Sequence, residues 1–368
     1  MYKKNLKKVF ILAGEVSGDQ LAAWYYQKVY AHQDAECQAI GGSYLAAAGV
    51  FLFDRYDDLN VIGLTEIIPK IPFFYRYMHR LVKHLRDGDF DELVLVDSPG
   101  FNLRFARLVR SELPQLRIVY AAPPQLWCWG AWRLRQLRKV ADELIVLYPF
   151  EVDWYAQRGV RARYIGSPVV ERVAAYRARV LSARSYITIA PGSRATELFH
   201  LLPIVVTVAQ RLRQLLPNVV IVILCAPSYP LDTIKKKFEQ SVGTVEGVLF
   251  VVDEQEKYWY MRQSIVALAK PGTVTLELAL LQVPTVLFFK TSWLNNFLAR
   301  CFMRVAYRGL PNLLTKKELV PEFIQNSCTA ERIASKIAAW CGWYLTDDMR
   351  YNQLLEGLDA VWQAMHIK

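Results

Sequence analysis

The sequence predicts an α/β protein: two doubly wound domains facing each other across a cleft. Short apolar runs recur along the chain, helix-length amphipathic stretches separate them, and 368 residues suffice for a core in each of two domains. Parallel strands with crossover helices on both faces produce this alternation, because a strand covered on both sides reads as a continuous apolar run. Hydrophobic residues make up 53% and charged ones 21%, which excludes a largely disordered chain.

Four apolar runs, 9–13, 93–96, 118–121 and 144–147, give strands of a first sheet; 187–190, 219–224, 248–252, 265–269 and 285–289 give those of a second. Between the two sets the turn Gly166-Ser167-Pro168 and the charged helical stretch 171–184 mark a boundary, after which the rhythm restarts. The expected domains are 1–170 and 171–345, with a C-terminal helix in 346–368 packing back on the first. The start, MYKKNLKKVFILAGE, reads as a basic leader and a first strand rather than a signal peptide, and no run approaches the roughly 18 apolar residues of a membrane span.

Cys37, Cys128, Cys225, Cys301, Cys328 and Cys341 form no CxxC pair, and the five histidines form no HExxH, so neither a metal nor a cofactor is expected. The formal charge of +11 suits nucleic acid, an anionic membrane surface or phosphorylated substrates. The absence of finger, RNP and Walker A patterns counts against nucleic acid.

Four loops could carry chemistry. The first strand runs into Gly14-Glu15-Val16-Ser17-Gly18-Asp19, then a helical run at 20–32; this is either a glycine turn with an N-cap or a ligand loop. Glu15 and Asp19 suit it to sugar hydroxyls, or to orienting a neighbouring base, better than to phosphate. The 93–96 run ends in Asp97-Ser98-Pro99-Gly100-Phe101-Asn102, which sets Asp97 at a strand's carboxyl end as a general base or as the cap of a helix starting near Asn102. Pro191-Gly192-Ser193-Arg194 follows the fifth run, where a helix start and a guanidinium suit a diphosphate, unless Arg194 merely pairs with Glu197. Lys270-Pro271-Gly272-Thr273 follows another strand and suits a pyrophosphate, with Glu277 one turn on placed either for ribose hydroxyls or as a surface acid.

Two stretches, 67–86 and 293–308, interleave aromatic and basic residues as an interfacial helix does, although such stripes are also core. Trp127, Trp129 and Trp132 with Arg133, Arg135 and Arg138 make a further basic aromatic patch.

Together these motifs resemble the lipid A disaccharide synthase family of inverting glycosyltransferases. GEVSGD at 14–19 is similar to the family's GExSGD, DSPGFN at 97–102 to DxPxFN, LYPFE at 147–151 to LPFE, APGSRATE at 190–197 to PGSRxxE, and PGTVTLE at 271–277 to SGTxxLE. LPNLL at 310–314 and ELVPEFIQ at 318–325 extend the match. The resemblance implies two Rossmann-like domains of the GT-B type, the acceptor on the first and the UDP donor on the second. It implies transfer from UDP-2,3-diacylglucosamine to 2,3-diacylglucosamine 1-phosphate, giving a β-1,6-linked disaccharide and UDP without a metal. Asp97 is then the base; Gly192, Ser193, Arg194, Gly272 and Thr273 hold the diphosphate; Glu277 holds the ribose; Asn312 and Glu318 line the donor side; Gly14, Glu15, Ser17, Gly18 and Asp19 form an acceptor-side loop. Acylated substrates imply a cytoplasmic protein held peripherally at the anionic inner face of the membrane, and allow a homo-oligomer. The sequence departs from the family at Gly100, Cys128 and Gly130, Ser167, Pro271, and Phe289-Lys290. Rival readings are a UDP-N-acetylglucosamine 2-epimerase or another UDP-sugar transferase of the same fold, such as a MurG-like one, and a non-catalytic lipid or nucleotide-sugar binder.

Overall fold

The computed structural model describes residues 6–56, 64–179, 183–226, 231–242, 247–293, 296–297, 302–303 and 305–366. The chain divides into two compact units, Met1–Pro168 and Val169–Lys368.

The first unit holds strands β1 (Lys7–Ala13), β2 (Ala35–Gly41), β3 (Phe51–Arg55), β4 (Glu92–Val96), β5 (Arg117–Ala121), β6 (Glu143–Val146) and β7 (Ala162–Tyr164). Its helices are α1 (Val16–Val29), α2 (Ser43–Ala47), α3 (Leu64–Asp87), α4 (Pro99–Glu112), α5 (Leu134–Val140) and α6 (Pro149–Ala156). The strands form one parallel sheet in the order β3-β2-β1-β4-β5-β6-β7. Alternate residues of each strand serve opposite cores. Phe10, Leu12, Leu93, Leu95, Ile118 and Tyr120 pack with Leu81 and Leu85 of α3 and Phe105 and Val109 of α4, whereas Val9, Ile11, Val94, Val96 and Val119 pack with Ala22 and Tyr25 of α1. Each fully buried aliphatic or Phe side chain contributes roughly 1.5–3 kcal/mol relative to exposure.

Charges close the amino end of this sheet. Glu92 and Glu143, the first residues of β4 and β6, are buried; Lys7 and Arg117 pair with Glu92, Arg117 and Arg163 with Glu143, and the Tyr30 hydroxyl donates to Glu92.

The second unit begins with α7 (Pro168–Arg177) and continues through β8 (Tyr186–Ala190), α8 (Ala195–Leu215), β9 (Val220–Leu224), α9 (Leu231–Val242), β10 (Val248–Val251), α10 (Glu254–Arg262), β11 (Ser264–Ala269) and α11 (Thr273–Leu280). It ends with β12 (Thr285–Phe289), α12 (Leu310–Thr315), β13 (Glu322–Ile324), α13 (Ala330–Leu345) and α14 (Met349–Met365). Its parallel sheet runs β10-β9-β8-β11-β12-β13. Three guanidinium groups meet the carboxyl end of α11: Arg177 donates to Leu280 O, Arg262 to Leu281 O and Arg184 to Gln282 O. They satisfy carbonyls a helix end leaves free and oppose its partial negative charge. Burial and the two neighbouring arginines lower Arg262 to about 10.

In each sheet the strand order reverses once, between β1 and β4 and between β8 and β11. Diverging crossovers leave a crevice at the carboxyl ends of such a strand pair, the usual ligand position in open α/β sheets.

Helix α14, within the expected C-terminal helical segment 346–368, packs on the elements of the second unit. Its Tyr351 joins that unit's core and donates to Ile265 O at 2.7 Å, Asp359 pairs with Arg177, and Trp362 lies under the Arg177 guanidinium. Its apolar face matches α11, α12 and α13. Of the stretch at 293–308, residues 294–295, 298–301 and 304 lie outside the described residues, whereas 67–86 lies within α3. Among the described residues no helix is long and apolar enough to cross a membrane, and no group of His, Cys, Asp and Glu could hold a metal ion.

Candidate active site

In the first unit, β1 ends at Gly14 and Glu15 while its neighbour β4 ends at Asp97 and Ser98; Ala13 is in register with Val96. The backbone turns through two successive left-handed residues, Asp97 (φ +51°) and Ser98 (φ +39°), a conformation disfavoured for residues with a Cβ. Its surroundings hold it there. Asp97 N–H donates to Ala121 O at 3.0 Å, the Tyr120 hydroxyl donates to Asp97 O at 2.7 Å, and the buried Asn102 amide donates to Val96 O and Asp97 O at 3.1 and 2.9 Å. The turn presses Ser98 against Gly14, where any Cβ would sit 2.8 Å from Ser98 Oγ. Helix α4 starts at Pro99 with Ser98 as its N-cap and no capping side chain, so the helix-cap reading of Asp97 is set aside.

Burial first, and then the charge of Glu15 and a hydrogen bond shared with it, push the Asp97 carboxyl up to about 6; the Ser98 amide offsets this only in part. Glu15 itself accepts a bond from the exposed Ser17 at 3.1 Å. Two carboxyls thus share one strand-end position, as a proton acceptor tuned toward neutrality requires.

Asp19 stands apart from them. It is fully buried, and its carboxylate accepts the amides of Gly42 and Tyr44 at 2.9 Å each and Leu45 at 3.3 Å, so it fastens the start of α2. Gly18 is buried in α1 beneath it. Glu151 is another fastener: it accepts the Trp127 indole N–H at 2.8 Å and the amides of Leu147 and Tyr148, while burial pushes it up to about 7. Trp127 therefore belongs to the core, whereas Trp129 and Trp132 are exposed with the Arg133 guanidinium over both rings.

In the second unit the loops after β8 and β11 are neighbours because those strands pair, Ala269 opposite Ala190. Gly192 has φ +118°, and a Cβ there would meet Glu197 Oε2 at 2.9 Å and Lys270 Cδ at 3.0 Å, so glycine is required twice over. Ser193 and Arg194 are exposed, Arg194 at the N-cap of α8. Arg194 lies 3.7 Å from Glu197, but that carboxylate's nearer partner is Lys270 at 2.8 Å. Gly272 caps α11, whose first residue is Thr273. At these helix starts the Glu197 amide donates to Arg194 O and the Thr275 amide to Gly272 O, and the amides that precede them are the groups a helix start offers to an anion.

Glu277 is buried rather than a surface acid. Its oxygens accept from the Tyr258 hydroxyl at 2.8 Å and Lys257 Nζ at 2.9 Å, both on α10. Asn312 is fully buried, with every amide hydrogen-bonding position engaged internally: Nδ2 donates to Val320 O and Glu322 Oε1, and Oδ1 accepts from Leu319 and Val320 amides. These bonds make it a clasp around the loop carrying the exposed Glu318. Glu322 completes the clasp by accepting the amides of Arg308 and Gly309 at the start of α12. Sequence reading missed Lys257 and Tyr258, which carry no local signal, and gave no separate role to Lys270 or Glu322 within their motifs.

A family model described as lipid-A-disaccharide synthetase matches residues 9–351. Curated relatives include the lipid-A-disaccharide synthase of Myxococcus xanthus (strain DK1622), 34% identical over 90% of this chain and 88% of its own length, and lipid-A-disaccharide synthase 1 of Legionella pneumophila (strain Lens), 34% identical over 91% and 88%. Among solved structures, the UDP-GlcNAc 2-epimerase of Neisseria meningitidis bound to UDP-GlcNAc aligns with a TM-score of 0.61 at 11% identity, covering 95% of this chain and 94% of that one. Acinetobacter baumannii MurG aligns with a TM-score of 0.55 at 13% identity, covering 97% and 95%. At such identities the likeness establishes the fold alone. The family match spans both switch points and the motif positions around them, and on that evidence the chain belongs to the lipid-A-disaccharide synthase family, glycosyltransferases of the GT-B fold.

Proposed function

We propose that this chain transfers the diacylglucosaminyl group of UDP-2,3-diacylglucosamine to the 6-hydroxyl of 2,3-diacylglucosamine 1-phosphate with inversion. The observation that carries this reading is Asp97, a carboxyl tuned to about 6 at a strand-order reversal. As the acceptor oxygen attacks the anomeric carbon, Asp97 takes the hydroxyl proton, and the bond from that carbon to the diphosphate oxygen breaks. Negative charge then builds on departing UDP, where the amides around Gly192, Ser193, Gly272 and Thr273 and the Arg194 guanidinium stabilise it. Glu277, held by Lys257 and Tyr258, keeps a free lone pair on each oxygen for ribose hydroxyls. Incubation with both lipid substrates and mass spectrometry of the products tests the reading: a disaccharide 1-phosphate is expected, and hydrolysis or epimerisation alone overturns it.

Glu15 gives a sharper check. Its charge raises Asp97, so Glu15→Gln lowers the Asp97 pKa and moves the acidic limb of the kcat/KM profile to lower pH. A limb that stays near 6 removes Glu15 from the proton site.

Acylated substrates call for membrane contact at the cytoplasmic face. The charge of +11 and the exposed Ile71, Tyr75, Trp129 and Trp132, with Arg133 against both indoles, support peripheral attachment to an anionic surface. Vesicles rich in anionic lipid are expected to sediment the protein at low salt and release part of it at high salt; a protein left in the supernatant at every salt contradicts this attachment.

A further inference from the structure

Lys270 is the first residue beyond β11, and its amide donates to Ala190 O at 3.1 Å, tying the ends of β8 and β11 together. Its side chain then runs between the two glycine loops. A Cβ on Gly192 would lie 3.0 Å from Lys270 Cδ, and one on Gly272 would lie 3.6 Å from Lys270 Cε. The ammonium ends 2.8 Å from Glu197 Oε1, in the first turn of α8. Glu197 Oε2 is buried without a hydrogen-bond partner, and the Arg194 guanidinium approaches Oε1 to 3.7 Å.

The helix dipole favours a carboxylate in the first turn of α8, but that charge repels an anion seated there unless a cation neutralises it. One acid standing between two cations of the two anion loops resolves it: Glu197 holds the lysine extended along the loops, and its own charge is cancelled there. We infer that Lys270 is a diphosphate-binding residue of this site, with Glu197 as the residue that positions it. This rests on the reading of the second unit as the UDP-donor half. The lysine stem fills the gap left by both glycines, so its ammonium reaches an anion seated on either loop. Donating to Glu197 uses one of its three N–H bonds and leaves two for phosphate oxygens.

The test compares UDP with uridine, titrated by NMR against the full chain. In Lys270→Met, UDP affinity is expected to fall about 10- to 100-fold, the worth of one or two charge-assisted bonds, while uridine affinity stays within about twofold. Lys270→Gln retains a donor for Glu197 and guards against a folding defect; it is expected to show the same selective loss. Glu197→Gln frees the ammonium from its holder and is expected to raise the donor KM more than it lowers kcat. Equal loss of UDP and uridine in both lysine variants would make Lys270 a structural pin and overturn the inference, as would unchanged UDP affinity. Wild-type protein that binds no UDP would instead overturn the donor reading beneath it.

Discussion

Asp97→Asn is expected to lower kcat by about 10²–10⁴-fold, the usual worth of a positioned general base, and at the same time to raise thermal stability at pH 7.5. The two effects share one origin. The Asp97 carboxyl titrates at about 6 in the folded protein against an ordinary 3.8, because burial and Glu15 disfavour its charge. Below about 4 the group is protonated in folded and unfolded chains alike, and folding bears no cost. As pH rises through 6 the folded protein must ionise a buried acid beside another, and stability on the order of 2 kcal/mol is lost. Asparagine keeps the shape and the bond from the Ser98 amide but never ionises. The variant therefore melts higher than wild type at pH 7.5, by roughly 4–8 °C if the first unit unfolds on its own. Melting curves at pH 4 and 7.5 check this: the gap should close at the acid end. A variant that keeps full turnover removes Asp97 as the base, and one that melts lower at pH 7.5 removes the strain argument.

The second large effect falls on folding. Asn312→Ala deletes four hydrogen bonds at a position with no solvent access, stranding the amides of Leu319 and Val320, the Val320 carbonyl and part of Glu322. At about 1–3 kcal/mol for each buried group left unsatisfied, with some relaxation, the second unit should lose about 3–5 kcal/mol. Asn312→Asp separates this from a simple size effect. It restores the acceptor but turns a second carboxylate toward Glu322, and the pair must share a proton. Its stability deficit should shrink as pH falls, whereas that of the alanine variant should not follow the same course. Denaturant titrations at pH 5 and 8 make the comparison, and equal deficits for both variants at both pH values would defeat the clasp assignment.

The interior strands were legible in the sequence for a physical reason. β1, β4, β8 and β11 are covered on both faces and read as unbroken apolar runs. β2, β3, β7 and β13 escaped because only the last three residues of β2 and none of β3, β7 or β13 are fully buried. Asp97 was legible from its place at a strand's end. Its partnership with Glu15 was not, since that depends on two strands far apart in the chain lying side by side. The internal bonds of Asp19 and Asn312 were not legible for a related reason: carboxylates and carboxamides that bind ligands are the same groups that fasten backbone amides.

The buried ion cluster around Glu92 and Glu143 also bears on how the protein can vary. It occupies the opposite rim of the sheet from Asp97, one strand length away, so the rigidity of the scaffold and the reactivity of the proton acceptor are adjustable independently. Exchanging Arg117 or Lys7 for neutral side chains would register in denaturation curves while leaving the pH optimum where it was. Lineages living at different temperatures can thus retune durability at the base of the sheet without disturbing the chemistry at its top.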